Sequence, residues 1–142
     1  MSQTAKPALF NPERVHEGGE LFLARSDIDD LHQSFVELIN RLDSVPSDEF
    51  ADEFARLLEH TREHFAREEA LMVKSGFPAI AEHCAEHGRV IGEMNQLEKR
   101  VRVGRPMMAR AYVREQLPGW FELHTRTMDS ALVGHMRQRD LG

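Results

Sequence analysis

The sequence contains one cysteine, one tryptophan and one tyrosine among 142 residues. The single cysteine, Cys84, excludes an intramolecular disulfide and favours a reducing, cytoplasmic compartment. The N-terminal residues contain no apolar stretch typical of a signal peptide. No run approaches the ~18 apolar residues that a membrane helix needs. We therefore predict a cytoplasmic protein that does not act at a membrane.

Positive charge is also scarce, because 18 Lys and Arg residues face 24 Asp and Glu residues and give a net charge of −6. Without an excess of basic side chains the chain cannot neutralise phosphates, which excludes a nucleic-acid partner. Histidine, in contrast, is abundant, with eight residues. Since histidine is the commonest metal-binding side chain near neutral pH, the positions of these eight residues matter most.

Apolar residues recur at spacings of three and four along most of the chain, and no segment alternates as a half-buried strand does. This periodicity predicts helices over about 26–45, 47–75, 79–101 and 107–136. Ser26 and Asp29 resemble a capping box at the start of the first helix, and Pro118 is expected to kink or divide the last. Four long helices joined by short loops predict an all-α fold, an antiparallel up-down-up-down four-helix bundle.

The chain divides into three predicted parts. Residues 1–25 show no sustained periodicity and contain helix-breaking prolines and glycines, so we predict an irregular N-terminal arm that packs apolar residues on the body. Residues 26–136 form the four-helix domain, and residues 137–142 form a C-terminal tail.

Each predicted helix carries polar residues on the face that should be apolar. They are His32 on the first helix, His64 and Glu68 on the second, His83 and His87 on the third, and His124 and Asp129 on the fourth. Residues four apart share a helix face, so the two side chains of such a pair can reach the same position inside the bundle. The step of five between His124 and Asp129 is wider and indicates a carboxylate that reaches a second metal, helped by a local helix irregularity.

Burying five imidazoles and two carboxylates without partners costs on the order of several kcal/mol per group, more than a domain of this size can absorb. Metal ions remove this cost, because each lone pair then forms a bond. Imidazole and carboxylate ligands without a thiolate favour iron, manganese or zinc. Seven ligands are too many for one ion, so we predict two ions bridged by the two carboxylates. Of the remaining histidines, His16 and His135 are predicted to lie at the surface. His60, one turn before His64, is predicted to be a partly exposed surface residue, with a position beside the ligands as the alternative.

Two other kinds of metal site share part of this pattern. The segment HCAEH, which begins at His83, matches the H-x-x-E-H motif of inverted zinc peptidases but leaves five of the seven polar residues unexplained. The ferritin-like arrangement needs Glu-x-x-His on two helices, and here that spacing occurs only at Glu13 and His16. Neither alternative accounts for polar residues on all four helices.

These residues resemble the motifs of the hemerythrin family, and more narrowly the single-domain bacterial hemerythrins. The matching segments are IDDLHQSFVELIN around His32, HFAREEALM from His64, HCAEH from His83 and WFELHTRTMD ending at Asp129. The resemblance covers about residues 26–135. It implies two iron ions bridged by an oxo or hydroxo group. By this resemblance one iron is held by His83, His87 and His124, the other by His32 and His64, and Glu68 and Asp129 bridge them.

The resemblance also implies reversible dioxygen binding at the iron with two histidines, as in an oxygen carrier, storage or delivery protein rather than an enzyme. The expected pocket is lined by Phe35, Phe65, Trp120, Phe121 and Thr125. Phe121 stands where the family commonly has Leu, and Thr125 where it usually has Ile, so a hydroxyl could donate to a ligand or admit water. Two alternatives stay open: a di-iron enzyme acting on peroxide or nitric oxide, and a stand-alone oxygen or redox sensor.

Overall fold

The computed structural model describes residues 7–139, and helices are the only regular secondary structure in that range. Helix α1 spans Ser26–Ser44, α2 spans Ser47–Ser75 and α3 spans Ile80–Arg102. Helix α4 runs over 107–138 as five consecutive segments: Met107–Ala111, Tyr112–Gln116, Leu117–His124, Thr125–Asp129 and Ser130–Gln138. The first six residues of the predicted arm and the last three of the predicted tail lie outside the described residues.

The four helices close into a bundle. Helix α1 packs on α2, α2 packs on α3, and α4 contacts both α3 and α1. The connections are only residues 45–46, 76–79 and 103–106, too short for anything but antiparallel neighbours. The predicted all-α four-helix bundle is therefore confirmed. Within residues 7–139, no helix is both long enough and apolar enough to cross a membrane.

The ends of two helices show how local chemistry sets their boundaries. The predicted cap at Ser26 is wrong, because Ser26 is the first helical residue and makes no capping hydrogen bond. Asp29 takes that role: its carboxylate accepts hydrogen bonds from the backbone N–H groups of Leu23 and Arg25, both at 2.9 Å. Helix α2 ends at Ser75, and the next residue, Gly76, adopts the left-handed conformation with a φ of 64° that glycine tolerates best.

Helix α4 contains two π-helical segments, Tyr112–Gln116 and Thr125–Asp129, each of which widens the helix by about one residue per turn. The first ends two residues before Pro118, which lacks an N–H donor and would clash with the preceding turn of a regular helix. The predicted irregularity between His124 and Asp129 is confirmed by the second segment. Its wider turn brings two residues that are five apart onto one side of the helix.

The apolar core consists of two separate clusters. The larger one contains Phe35, Phe54, Leu57, Met94, Leu117 and Phe121 among its members. The smaller one, nearer the start of α1, contains Ile28, Met72, Phe77, Leu132, Val133 and Met136. On each helix the polar residues singled out in the sequence lie where the helix passes from one cluster to the other. The folding of the bundle therefore creates a buried polar layer that apolar packing encloses from both ends.

Residues 7–25 precede α1 and pack against the bundle. They contain one 3₁₀ turn, Pro12–Val15, and contribute Phe10, Val15 and Leu21 to the buried core. The side chain of Asn40 anchors this segment, because its amide donates to the Phe10 carbonyl at 2.9 Å and accepts from the Phe10 N–H at 2.8 Å. The ring of Phe10 meets the edge of Phe121 with 5.5 Å between centroids.

Gly19 allows this segment to turn tightly, and replacing it with alanine is expected to destabilise the protein. An added Cβ would lie 2.2 Å from the Glu13 carbonyl oxygen and 2.4 Å from that of Arg14, and both are backbone atoms. The Arg14 carbonyl cannot move freely, because it accepts a hydrogen bond from the Leu21 N–H at 2.8 Å. We expect Gly19→Ala to lower the free energy of unfolding by about 1–3 kcal/mol in urea titrations.

Gly92→Ala is the matched control for this substitution. Gly92 lies on the exposed side of α3, and an added Cβ there meets nothing within 4 Å. The control should raise the free energy of unfolding by about 0.5–1 kcal/mol, because alanine loses less backbone entropy in a helix. Equal stabilities for Gly19→Ala and the unmodified protein would contradict the docked position of residues 7–25.

Candidate metal centre

The structure brings all seven predicted ligands into the polar layer, and none of them is more than 4 % exposed. Their ligand atoms form two overlapping groups in which all atoms lie within 4.8 Å of one another. The five-residue group consists of Glu68, His83, His87, His124 and Asp129, and the four-residue group consists of His32, His64, Glu68 and Asp129. Both carboxylates are therefore shared, whereas the imidazoles divide into three and two.

Each carboxylate presents one oxygen to each group. Glu68 Oε2 lies 2.7 Å from His64 Nε2 in the four-residue group, and Glu68 Oε1 lies 3.1 Å from His87 Nε2 in the five-residue group. Asp129 is arranged in the same way, with Oδ2 2.9 Å from His32 Nε2 and Oδ1 3.1 Å from His83 Nε2. This arrangement is suited to two ions that share both carboxylates.

The remaining distances and hydrogen bonds fit metal ions better than a hydrogen-bonded core. The Nε2 atoms of His83 and His124 lie 3.1 Å apart. Two nitrogens bound at right angles to one ion, each at about 2.1 Å, are separated by about 3 Å. Glu68 Oε1, His87 Nε2 and Asp129 Oδ1 are buried and make no hydrogen bond within the described part of the chain. Such atoms are rare in folded proteins unless an ion or water binds them.

In the absence of metal, burial and the pairing of imidazoles with carboxylates determine which side chains of the polar layer carry protons. Burial by itself lowers the pKa of His32, but hydrogen bonds and attraction from Asp129 and Glu68 outweigh it and raise that pKa to about 9. The pKa of His83 is raised to about 9 by the same balance. Burial acts to raise the pKa of Glu68, yet the surrounding imidazoles hold this pKa well below its usual range. Protons on histidine therefore balance the carboxylate charge when no metal is bound.

Several side chains outside the two groups orient the imidazoles of the five-residue group. His87 Nδ1 lies 2.9 Å from a Glu69 carboxylate oxygen, and the ring of Phe65 is stacked on His87 with centroids 3.8 Å apart. Trp120 is stacked on His124 at 4.7 Å and donates its indole N–H to Glu86 at 2.8 Å. Partners of this kind fix the tautomer and the ring angle of a ligating histidine.

The five predicted pocket residues are divided between the two groups. Phe121 meets the edge of His32 with 5.1 Å between centroids, and Phe35 is stacked on Phe121 at 4.8 Å, so both lie beside the four-residue group. Trp120 instead lies against His124 of the five-residue group, whereas Phe65 contacts both groups, stacked on His87 at 3.8 Å and with 5.4 Å between its centroid and that of His64. Thr125 directly follows His124 in sequence and is fully buried. Its hydroxyl has no hydrogen-bond partner within residues 7–139.

Two of the three other histidines are only partly exposed, as predicted for His60 but not for His135. His60 is half-buried, its Nε2 lies 3.3 Å from the Leu31 carbonyl oxygen, and burial lowers its pKa. His135 is partly buried, with Nε2 2.8 Å from the Ser75 carbonyl oxygen. The predicted surface position is confirmed for His16. None of the three belongs to either ligand group.

Sequence reasoning missed Glu69 and Glu86, which contact His87 and Trp120. Both residues are partly exposed acids on helices rich in charge, so nothing in their spacing sets them apart from solvated neighbours. The signal that could have found Glu69 is its position beside Glu68, directly at the edge of the polar stripe. Which imidazole it meets depends on the packing of α2 against α3.

Known proteins share both the sequence pattern and the fold. A family model, the hemerythrin HHE cation binding domain, matches residues 23–137. A bacteriohemerythrin from Ralstonia nicotianae is 30 % identical over 119 residues, which cover 84 % of this chain and 86 % of that protein. A bacteriohemerythrin from Stenotrophomonas maltophilia is 26 % identical over 114 residues, covering 78 % of this chain and 73 % of that protein. A solved hemerythrin with one leucine replaced by alanine superposes with a TM-score of 0.68 at 24 % identity, covering 78 % of this chain and 86 % of the other.

Proposed function

This chain belongs to the hemerythrin family, and from that premise we propose that it binds dioxygen reversibly at a non-haem di-iron centre. The observation that carries the proposal is the inequality of the two ligand groups, with five residues in one and four in the other. One bridging oxygen would bring an ion in the five-residue group to about six ligands and leave an ion in the four-residue group with about one open position. That open position is where a small exogenous ligand would bind.

The ligand chemistry supports iron for both positions. Imidazole nitrogen and carboxylate oxygen without thiolate are the donors that non-haem iron prefers. Cys84, the single thiol, belongs to neither group. Burial raises the pKa of its thiol, and so do the negative charge of Glu69 and a hydrogen bond to it. Iron bound in both groups, bridged by an oxo or hydroxo oxygen, would supply the electrons and the open position that dioxygen binding requires. The protein's own residues hold the ions and shield them.

The surroundings of the four-residue group favour binding over chemical conversion. Phe35 and Phe121, which lie beside this group, are fully buried and offer no proton. Tyr112, the only tyrosine, lies elsewhere in α4 and donates its hydroxyl hydrogen to Glu93 at 3.1 Å. An oxidase that converts a substrate needs a positioned acid or base and room for that substrate. The aromatic wall supports a carrier, storage or delivery protein.

Reversibility can be tested on the iron-loaded protein. The protein is reduced anaerobically, exposed to air and returned to vacuum through several cycles while the visible absorption spectrum is recorded. A charge-transfer band that appears with air and disappears under vacuum is expected, with iron content near two per chain at the end. A zinc-loaded sample serves as the control, because zinc has no redox chemistry and should show no band.

Other experimental outcomes would indicate a different function. Irreversible oxidation on first contact with air, together with rapid consumption of added peroxide or nitric oxide, would indicate a di-iron enzyme. Recovery of a single zinc ion and no iron would overturn both functions. A stand-alone sensor would show reversible binding together with a change in association with a partner protein. The cytoplasmic location predicted from the single cysteine belongs to the same proposal and is tested by fractionation of the source cells.

Trp120 provides an independent measurement of iron at the five-residue group. It is the only tryptophan, and its ring is stacked on His124 at 4.7 Å. We expect ferrous ions added anaerobically to the metal-free protein, then oxidised, to quench most of the tryptophan emission, since ferric iron accepts excitation energy and electrons at this distance. Zinc should leave most of the emission intact, because its d shell is full. Equal emission with the two metals would contradict iron bound beside Trp120.

A further inference from the structure

Thr125 has a buried hydroxyl that the fold leaves unpaired. Its side chain is fully buried, yet Oγ1 has no hydrogen-bond partner in the part of the chain that the structure describes. Thr61 and Thr127 behave differently, because each donates to the backbone carbonyl four residues earlier at 2.7 Å. A helical threonine ordinarily satisfies itself in that way when no other partner is present. Thr125 is therefore the exception, and it lies in the polar layer.

The position of Thr125 in α4 indicates what its hydroxyl faces. It is four residues after Phe121 and four before Asp129, so the three lie about one turn apart along one side of the helix. Phe121 meets the edge of His32, and Asp129 Oδ2 lies 2.9 Å from His32 Nε2. Thr125 thus stands between Phe121, which contacts His32 of the four-residue group, and Asp129, which is shared by both groups and reaches His32 with Oδ2. The four-residue group is the one to which the proposed function assigns the open position for an exogenous ligand.

We propose that the Thr125 hydroxyl donates a hydrogen bond to the small ligand bound at the four-residue group. This inference rests on the proposed function, since it requires an ion with an open position. The ligands it fits are small anions, and diatomic molecules that gain negative charge on binding, because a hydroxyl donor stabilises negative charge on a neighbouring atom. The hydroxyl is not acidic enough to give up its proton near neutral pH, so Thr125 holds the ligand without protonating it.

Azide, a small linear anion, is the probe for the test. The ferric iron-loaded protein is titrated with azide, and binding is followed by the visible absorption of the adduct. We expect Thr125→Val to weaken azide binding about ten- to a hundredfold, the range for a lost hydrogen bond to a charged group. Thr125→Ser keeps the hydroxyl and should stay within about threefold of the unmodified protein. Thr61→Val is the matched control, because it removes a buried hydroxyl that is already paired with the Leu57 carbonyl.

The thermal stability of the metal-free proteins is a second measurement, in which Thr125→Val should be stabilising although it weakens azide binding. Valine has nearly the shape of threonine without the unpaired hydroxyl, so Thr125→Val should raise the melting temperature by about 2–4 °C. Thr61→Val removes a formed hydrogen bond and should not raise it. If the Thr125 hydroxyl had a purely structural role, Thr125→Val would have a lower melting temperature and unchanged azide binding.

The outcomes separate this inference from the proposed function. If Thr125→Val binds azide as tightly as the unmodified protein, the inference is overturned and the di-iron function stands. If the unmodified ferric protein holds two irons but binds no azide, the open position is absent and both fail. Weaker azide binding in Thr125→Val, restored in Thr125→Ser and unchanged in Thr61→Val, supports the inference.

Discussion

Replacing Glu68 with alanine is expected to leave the protein unable to retain either metal ion. Glu68 presents one oxygen to each ligand group, at 2.7 Å from His64 Nε2 and 3.1 Å from His87 Nε2, so one substitution removes a ligand from both. It also removes a buried negative charge that offsets the surrounding imidazolium groups. Metal analysis after gel filtration should fall from about two ions per chain to well below one.

Two other acids on α2, Glu69 and Glu59, serve as graded comparisons. Glu69→Gln changes the partner of His87 Nδ1 without touching a ligand, and loss of such a partner typically weakens metal binding about ten- to a hundredfold. Glu59→Ala alters an exposed acid on the same helix and should retain both ions. If Glu68→Ala retained two ions with unchanged affinity, the shared-carboxylate centre would be wrong.

Removing both ions with a chelator is expected to lower the melting temperature by roughly 10–15 °C, since metal in large excess over its dissociation constant contributes about 4 kcal/mol or more. Without metal, the protein keeps seven ionisable side chains buried and must balance their charge with protons. Calorimetry of the metal-loaded and metal-free forms measures this difference directly. A chelator that removes the ions without changing the melting temperature would contradict it.

The effect of metal removal should also depend on pH. In the metal-free protein the pKa values of His32 and His83 are raised from 6.5 to about 9. A raised pKa in the folded state stabilises the protein fully below 6.5, and this stabilisation is lost as the pH rises through 9. In the loaded protein the same nitrogens are expected to bind metal and therefore not to titrate in this range. The loss of stability on chelation is therefore expected to be larger at pH 9 than at pH 6.5.

Leu57→Ala is the control for both measurements of stability. Leu57 is fully buried in the larger apolar cluster, away from the ligands. Its truncation should lower the unfolding free energy of the loaded and metal-free forms alike, by about 2–5 kcal/mol. Because the two sites share no partner, the difference between the two forms should stay as it is in the unmodified protein. A changed difference would indicate that metal removal also loosens the apolar clusters.

The sequence by itself determined the helices and the seven members of the polar layer. A helix of fixed period shows which residues share a face, so His32 among apolar neighbours, or His64 four residues before Glu68, is visible without any tertiary information. The step of five from His124 to Asp129 even indicated the π-helical segment in α4. The cost of burying such groups without metal then predicted what they bind.

Only the tertiary structure decided how residues on different helices meet. Glu69 and His87 are 18 residues apart, and Trp120 and Glu86 are 34 apart. The two pairs meet because α2, α3 and α4 are rotated and shifted against one another. Trp120 and Phe121 are neighbours in sequence and therefore point to different sides of α4, and the packing of the other helices decides that each meets a different ligand group. It also leaves the Thr125 hydroxyl unpaired. Periodicity reports the face of one helix, whereas contacts between helices depend on packing that no local pattern encodes.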